Sequence, residues 1–542
     1  MRNYLFLLFT ACIFLLFSCK KDNAAGRLTM SGFASTVITG GDVVSIYGSG
    51  FDPDPTKNRV LFNGIAGEVA TASPNRLQVI TPLLANSGKI TVTTHGQTVT
   101  SEQSYTIVCL LQGTYNDNFT LTPDKQYMLR GDVEFQSKLT IQPGTVIYGE
   151  KLSHGNLMAG DIDFEGTAEH PIVFTSDQPP GSRFPGDWGG VTIGTSRSGR
   201  NITNGIVKYV RVEYAENGLA LAAIAGGTYQ YLQASYCYNG ITLSSSQDVR
   251  GYEDPAAPYG FVHHIIAFGC VRNDFVITKS SVAAQFGLGI KDPYFADTGP
   301  VGRERINSVF FYKGKANGIY SLYENIGGTL AISQLSNFTL VGYNPDARNI
   351  LGIGATISRD AGSAVQADGS SDIVICNSLM AASWKSAVAV PWYHDNYDTT
   401  PSNNMIAFRN NFITGTSALS LPQQGGILGI IDAFTPYISF VDMQGDLSGL
   451  QLFSSLNDTT SMLSFSRSRD DLGIKDLVDY NRLHNPGVLP ASGSKLLQSA
   501  RFPPGSISDN PAFDKNVPYV GAFGTEDWTK SWSNFNPQQT RY

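Results

Sequence analysis

The chain has 542 residues, a formal net charge of −7 and a charged fraction of 15%, against roughly 25% in ordinary soluble domains. An acidic chain without clustered Lys and Arg excludes a phosphate-backbone partner, because that binding rests on counterion release; no nucleic acid is expected. The 56 Gly, 25 Tyr and 30 Phe suit many short strands joined by tight turns.

Arg2 precedes an apolar run from Tyr4 to Phe17, too short for a span of about 20 residues. It ends in LLFSC followed by KKDN, and Leu16, Phe17 and Ser18 before Cys19 resemble a lipoprotein signal. The resemblance implies a signal peptide over 1–18, lipidation of Cys19 and an anchor linker over 19–26. It places the chain on the outer membrane, at the cell surface or the periplasmic face, held by several acyl chains where one would not suffice. A cleaved secretory leader with a chance cysteine is the alternative. Cys109, Cys237, Cys270 and Cys376 form no CxxC and no His/Cys cluster, so neither metal nor cofactor is expected. Export permits disulfides, but scattered buried thiols are the plainer reading.

Residues 27–108 read as one compact β unit. GGDVVSIYGSGF places a strand from Val43 to Tyr47 before a Gly-rich turn, NRVLFNGIAG repeats the device from Val60, and LQVITP and GKITVTTHG complete strands at sandwich spacing. Gly48, Gly50, Phe51, Val60, Phe62 and Gly64 resemble the hallmark positions of the IPT/TIG immunoglobulin-like family. That implies a spacer or a sugar-binding module.

From about 109 to 485 the pattern changes. LTIQPGTVIYG and IDFEGTAEHPIVFTSD pair short β runs, and KYVRVEYAENGLAL from Lys208 returns as QYLQASYCYNGITL from Gln230. Alternation puts Val210, Val212 and Tyr214 on one side, matched by Leu232, Ala234 and Tyr236, and turns Arg211, Glu213, Gln233 and Ser235 the other way. Asn217-Gly218 and Asn239-Gly240 occupy the expected corner, since Asn tolerates left-handed backbone. Looser copies place Asn273 and Asn317 in the same role. A hairpin explains one such turn but not its recurrence; stacked coils bury a core that none could bury alone. The expectation is therefore an all-β protein: the N-terminal sandwich, then a right-handed parallel β-helix, then a capping or peripheral segment over 486–542. A leucine-rich repeat lacks its leucines here, and a propeller lacks its blade signatures.

LTIQPGTVIYG, FEGTAEHPIVFTSD, GSRFPGDWGGVTIG, VKYVRVEYAENG, NDFVITKSS and YVGAFGTEDWTKSW resemble secreted and lipoprotein β-helix proteins common in Bacteroidetes, over about 112–532. Asn273-Asp274 stands where those proteins typically carry paired aspartates. The resemblance implies architecture more than activity.

Catalytic patterns are sparse. Polygalacturonase-like motifs are missing, and Asp470-Asp471 lies in a charged segment. Lys291, Asp292 and Asp297 are the nearest approach to lyase chemistry and otherwise read as polar residues of an exposed loop. His263-His264 read by alternation as one inward and one outward imidazole, and Trp188 as a structural wedge. No G-x-S-x-G or phosphate cradle is present. VPWYHDNYDTTPSNN brings Trp392, Tyr393, Asp395 and Tyr397 together, aromatic faces beside polar groups that suit sugar rings; a loop covering the solenoid is the plainer alternative. The DTT triplets at Asp398 and Asp458 resemble an O-glycosylation sequence. Two functional expectations follow: a non-catalytic glycan-binding or adhesion lipoprotein, or a polysaccharide lyase or glycoside hydrolase on the same scaffold.

Overall fold

The computed structural model describes residues 26–194, 205–222, 227–244, 260–278, 282–292, 307–312, 333–342, 363–367, 373–381, 386–389, 406–414, 438–439, 464–466, 472–477, 479, 482–502 and 506–542. Two compact units divide it, Met1–Leu110 and Leu111–Tyr542.

In the first unit, Val43–Ser49 pairs antiparallel with Thr29–Phe33 and with Arg76–Ile80. Arg59–Phe62 pairs with Ile90–Thr94, which pairs in turn with Gln97–Thr100. Ile65–Ser73 joins both groups, its first residues on Arg59–Phe62 and its last on Arg76–Ile80. Alternation drives the packing: Val44, Ile46, Val60, Phe62, Leu77, Val79, Ile90 and Val92 are all buried, one inward face per strand. Gly50 has φ +78°, and a Cβ there would press on the carbonyls of Gly26 and Arg27, which explains the Gly-rich turn. This is an Ig-like sandwich, as expected.

The second unit is a parallel β-helix with three sheets. The first sheet stacks Phe119–Leu121, Leu139–Ile141 and Ile162–Glu165 under the leading halves of Ile206–Glu213, Thr228–Ser235, Gly260–Phe268, Val282–Ile290 and Ser333–Val341. The second sheet carries the trailing halves of those long strands, above Val146–Gly149 and Ile172–Ser176 and below Leu379–Ala381 and Phe412–Thr414. The third runs from Asn156–Ala159 through Trp188–Ile193, Ala215–Leu221, Asn239–Ser244, Asn273–Thr278, Asn307–Tyr312, Ser363–Ala367 and Ser386–Ala389 to Ile438–Ser439.

The predicted inner register holds. Val212 pairs with Ala234 and Val210 with Leu232, all four fully buried. Tyr214 and Tyr236 are the exception: their rings stack at 5.6 Å and 6°, but the left-handed backbone at both breaks the alternation and packs them into the cluster on the outward side of the second sheet. The corners are not where they were expected. Asn217-Gly218 and Asn239-Gly240 lie inside strands; the bends are at Tyr214 (φ 62°), Tyr236 (φ 52°) and Gly269 (φ 63°). Gly218 and Gly240 answer a packing demand instead, because a Cβ at either would crowd the Cys237 or Cys270 sulfur. A second series of left-handed residues turns the chain from the first sheet into the second: Tyr209, Tyr231, His264, Phe286, Asn337, Asn377 and Asn410, with φ between 50° and 61°. Left-handed backbone costs such side chains about 1–2 kcal/mol each. Stacking offsets it: ring centroids lie 4.5 Å apart for Tyr209–Tyr231, 4.8 Å for Tyr231–His264 and 4.8 Å for His264–Phe286. The copy assigned to Asn317 is also corrected. Asn273 pairs with Asn307, and Asn317 lies outside the described residues.

The outward side of the second sheet is covered too. Ile266, Phe268, Leu288, Ile290, Val341, Leu379 and Phe412 form one buried cluster with Leu472, Ile474, Leu477, Val488, Leu496, Val520, Ala522, Phe523 and Trp532. Strands buried on both faces read as unbroken apolar runs, as in HHIIAFG and NFTLVG. Residues 494–542 form a clasp laid along the solenoid, and side-chain amides grip its backbone. Gln233 donates from Nε2 to Asn534 O (2.7 Å) and accepts from Asn534 N (2.9 Å). Gln285 does the same with Asp514 (2.9 and 2.9 Å). Asn337 reaches Tyr519 O and Asn410 reaches Ser499 O, both at 2.7 Å. At the other end Arg183 Nη1 donates to Pro537 O and Thr540 O, and Tyr542 OH donates to Glu213 Oε1 at 2.5 Å. Burial raises the Glu213 carboxyl above the usual range, against the opposing pull of Arg211 and its hydrogen bonds to Tyr542 and Thr175.

Candidate functional site

The edge where the second sheet passes into the third presents a built surface. Asn217, Asn239 and Asn273 stand in register on successive coils. Asn239 Nδ2 donates to Asn217 Oδ1 at 3.1 Å, and Asn273 Nδ2 donates to Asn239 Oδ1 at 3.0 Å. One coil earlier the column has a gap at Gly190, where a Cβ would overlap the Asn217 carbonyl oxygen. Below the gap, Asn156 donates to Asp132.

Beside each asparagine sits a second column. Glu216 lies 2.9 Å from His154 Nε2, and the Arg272 guanidinium lies 5.1 Å above the Tyr238 ring. That ring rests on Gly186, where any side chain would strike it. Two residues before Gly186 comes Phe184, 55% exposed, and Leu152, which follows Lys151 in the chain, is 95% exposed. Lys151 Nζ lies 5.9 Å over the Phe184 ring and 2.7 Å from Asp187 Oδ1. Asp187 also accepts from Ser176 Oγ (2.7 Å) and from Phe184 N (3.0 Å), so a buried carboxylate holds the Phe184 loop in place. Trp188 anchors it from behind, fully buried with Nε1 donating to Glu213 O at 2.7 Å, as a structural wedge should. A regular row of amides with an exposed aromatic ring and two cations nearby can hydrogen-bond hydroxyls and stack on C–H faces. The sequence reading missed this edge. Recurrence of Asn marked the column, but Phe184 and Leu152 carried no periodic signal.

The other predicted positions fall as follows. Lys291 and Asp292 are buried rather than exposed. Lys291 Nζ lies 3.0 Å from Asp274 Oδ1 and donates to the carbonyls of Cys270 (2.9 Å) and Arg272 (3.0 Å), while Asp292 accepts from Tyr236 OH at 3.0 Å. These groups brace a corner. His263 and His264 do not alternate, because the left-handed backbone at His264 rotates it to the same side. Their Nδ1 atoms lie 2.6 Å apart, and burial pushes them down to about 4 and about 3 respectively, with His263 adding to the effect on His264. Cys109, Cys237, Cys270 and Cys376 are buried free thiols, and desolvation pushes Cys270 and Cys376 up to about 12. Among the described residues no group of three His, Cys, Asp or Glu could hold a metal ion, and no helix is long and apolar enough to cross a membrane. Cys19, Asp297, Trp392, Tyr393, Asp395, Tyr397, Asp398, Asp458, Asp470 and Asp471 lie outside the described residues.

Residues 29–107 match the IPT/TIG domain, and residues 113–252 match the pectate-lyase like β-helix domain. The chain thus carries an IPT/TIG domain followed by a pectate-lyase-like β-helix. No curated protein matches it significantly. Among solved structures it is similar to a structural genomics protein of unknown function from Bacteroides thetaiotaomicron, at 24% identity over 15% of this chain and 21% of that one. It is also similar to auxiliary nutrient binding proteins from B. thetaiotaomicron (21% identity, 14% and 20% of the two chains) and from Bacteroides ovatus (23% identity, 15% and 20%). All three have a TM-score of 0.14, and the chain spans about a fifth of each.

Proposed function

We propose that this is a non-catalytic, lipid-anchored outer-membrane protein that binds glycans on the flank of its β-helix. The observation that carries the reading is the hydrogen-bonded column of Asn217, Asn239 and Asn273, adjoined at Tyr238 by Gly186 of the loop that bears the exposed Phe184. Stacked coils repeat the amides at about 4.8 Å, a regular array for a polymer of hydroxyl-bearing rings. The described carboxylates of this edge each have a partner: Asp187 with Lys151, Asp274 with Lys291, Glu216 with His154 and Asp132 with Asn156. Glycosidase chemistry needs two carboxyl groups facing a common gap, and none of these paired carboxylates is free to share one with another. The likeness to a pectate-lyase-like domain is what favours the alternative, a polysaccharide lyase or glycoside hydrolase, although a scaffold alone does not supply an activity.

A glycan array run beside assays for reducing sugar and for unsaturated product separates the two. Retention without product is expected, and product would replace this reading with the enzymatic one. Phe184→Ala combined with Asn239→Ala should lower retention about tenfold or more, consistent with roughly 1–2 kcal/mol for a lost ring contact and amide, with melting little changed. The pair Trp392→Ala and Tyr393→Ala, from the aromatic segment at 390–404, is the second arm. Loss in that arm alone would move the site to that segment.

A further inference from the structure

The clasp meets the solenoid through one contact of a different kind. Trp528 packs edge-on against the His264 ring at 5.0 Å, and Trp532 packs on Tyr231 at 5.9 Å and Tyr209 at 6.0 Å. Phe513 packs on Phe261 at 5.4 Å, and Phe261 lies 5.5 Å from His263. In register, the coil before places Gln230-Tyr231 at the positions of His263-His264, and the coil after places Gln285-Phe286 there. Gln285 binds clasp backbone directly. Only the middle of these three coils puts imidazoles beneath the clasp.

We infer that the His263–His264 pair is an acid-sensitive latch, whose protonation loosens clasp residues 513–532 from the β-helix. With Nδ1 atoms 2.6 Å apart, one imidazole donates and the other accepts, so the pair is matched only while at least one ring stays neutral. A proton on each ring sets two N–H groups against each other and places two like charges under a layer of Trp and Phe. Cation–π attraction from Trp528 or Tyr231 serves one imidazolium but not a second beside it. Among the described residues, the groups facing the pair supply no compensating anion. From the preceding coils they are Tyr231 and Tyr209, from the following coil Gln285 and Phe286, and from the clasp Trp528. Of the clasp carboxylates, Asp527 turns back onto Thr529 and Asp514 onto the Asn516 N–H, and Glu526 acts on Tyr519 of the clasp itself.

The sign follows from linkage. Burial under the clasp holds both imidazoles well below the ordinary value of about 6.5, and a lifted clasp returns them toward it. Between about pH 6.5 and 4 the lifted state therefore binds more protons, and closure weakens as pH falls. Its population rises about tenfold per pH unit for one proton and up to about a hundredfold for two.

Hydrogen exchange of the full chain, corrected for intrinsic rates, tests this at pH 7.5 and pH 5. Protection over 513–532 should fall at least tenfold at pH 5 while amides of Ile206–Glu213 keep theirs. His263→Gln with His264→Phe, residues the adjoining coils already hold at these positions, should make protection over 513–532 independent of pH. Unchanged protection in the native chain, or the same acid loss in the double variant, overturns the latch. Should the double variant not fold, His263→Gln alone decides: the acid loss should shrink to the one-proton slope, and an undiminished loss overturns the proposal.

Discussion

Ala234 shows how tightly single positions are specified. It stacks on Val212 below and Ala267 above, fully buried, with space that suits a methyl group and no polar partner. Ala234→Asp should destabilise the solenoid by about 3–5 kcal/mol, the cost of an uncompensated buried charge. Denaturant melts should show it, and a wild-type midpoint would contradict the stack. This position was legible from period-two alternation. The left-handed residues were not: intrinsic preference points to Asn, yet Tyr209, Tyr214, Tyr231 and Tyr236 adopt the strained backbone. Tyrosine is accepted there because each ring gains the ring of the adjoining coil, a contact visible only once the coils are stacked. Asn takes the role at Asn337, Asn377 and Asn410, where Asn410 Nδ2 donates to Asn377 Oδ1 at 2.7 Å.

At the scale of elements, the clasp is the feature that strand patterns could not reveal. The described residues of 494–542 contain no strand, so alternation has nothing to report, and the residues they cover read as ordinary outward positions of a half-buried sheet. Gln233 and Gln285 are the joints. Each lends a donor and an acceptor to one clasp residue, as a neighbouring strand would. Gln233→Leu with Gln285→Leu leaves the N–H and C=O of Asn534 and Asp514 without those partners, at about 1–3 kcal/mol per site. Limited proteolysis should then cut within 506–542 well before it cuts the sheets. Equal resistance in both chains would show that the apolar contacts hold the clasp without the amides. The turn between the second and third sheets is braced comparably, by the buried Lys291–Asp274 pair, whose partners lie too far apart in sequence to be paired by inspection.

For the whole molecule, the proposed lipid anchor would tie the Ig-like unit and the solenoid to a membrane. That proposal starts at Cys19. Cys19→Ala should release the chain from membranes and abolish incorporation of radiolabelled lipid; unchanged labelling would remove the anchor from the proposal. The solenoid adapts to insertions because each coil needs only its three short strands in register, so 22 residues separate Asn217 from Asn239 and 34 separate Asn239 from Asn273.

The architecture was written in local patterns: the Gly-rich sandwich turns, the repeated sentence from Lys208, the inward column of Val212 and Ala234. Backbone pairing and burial of every second residue are short-range rules, and a single chain displays them directly. Which outward faces stay wet depended on the rest of the molecule. Gln233, Ile266 and Leu288 are alike in facing out of the second sheet, and the return of described segments from Leu472 to the C-terminal clasp across hundreds of residues buries them. The exposed edge at Phe184, Tyr238 and Asn239 came about the same way: parallel coils align residues distant in sequence, and nothing between those residues along the chain records that they are neighbours.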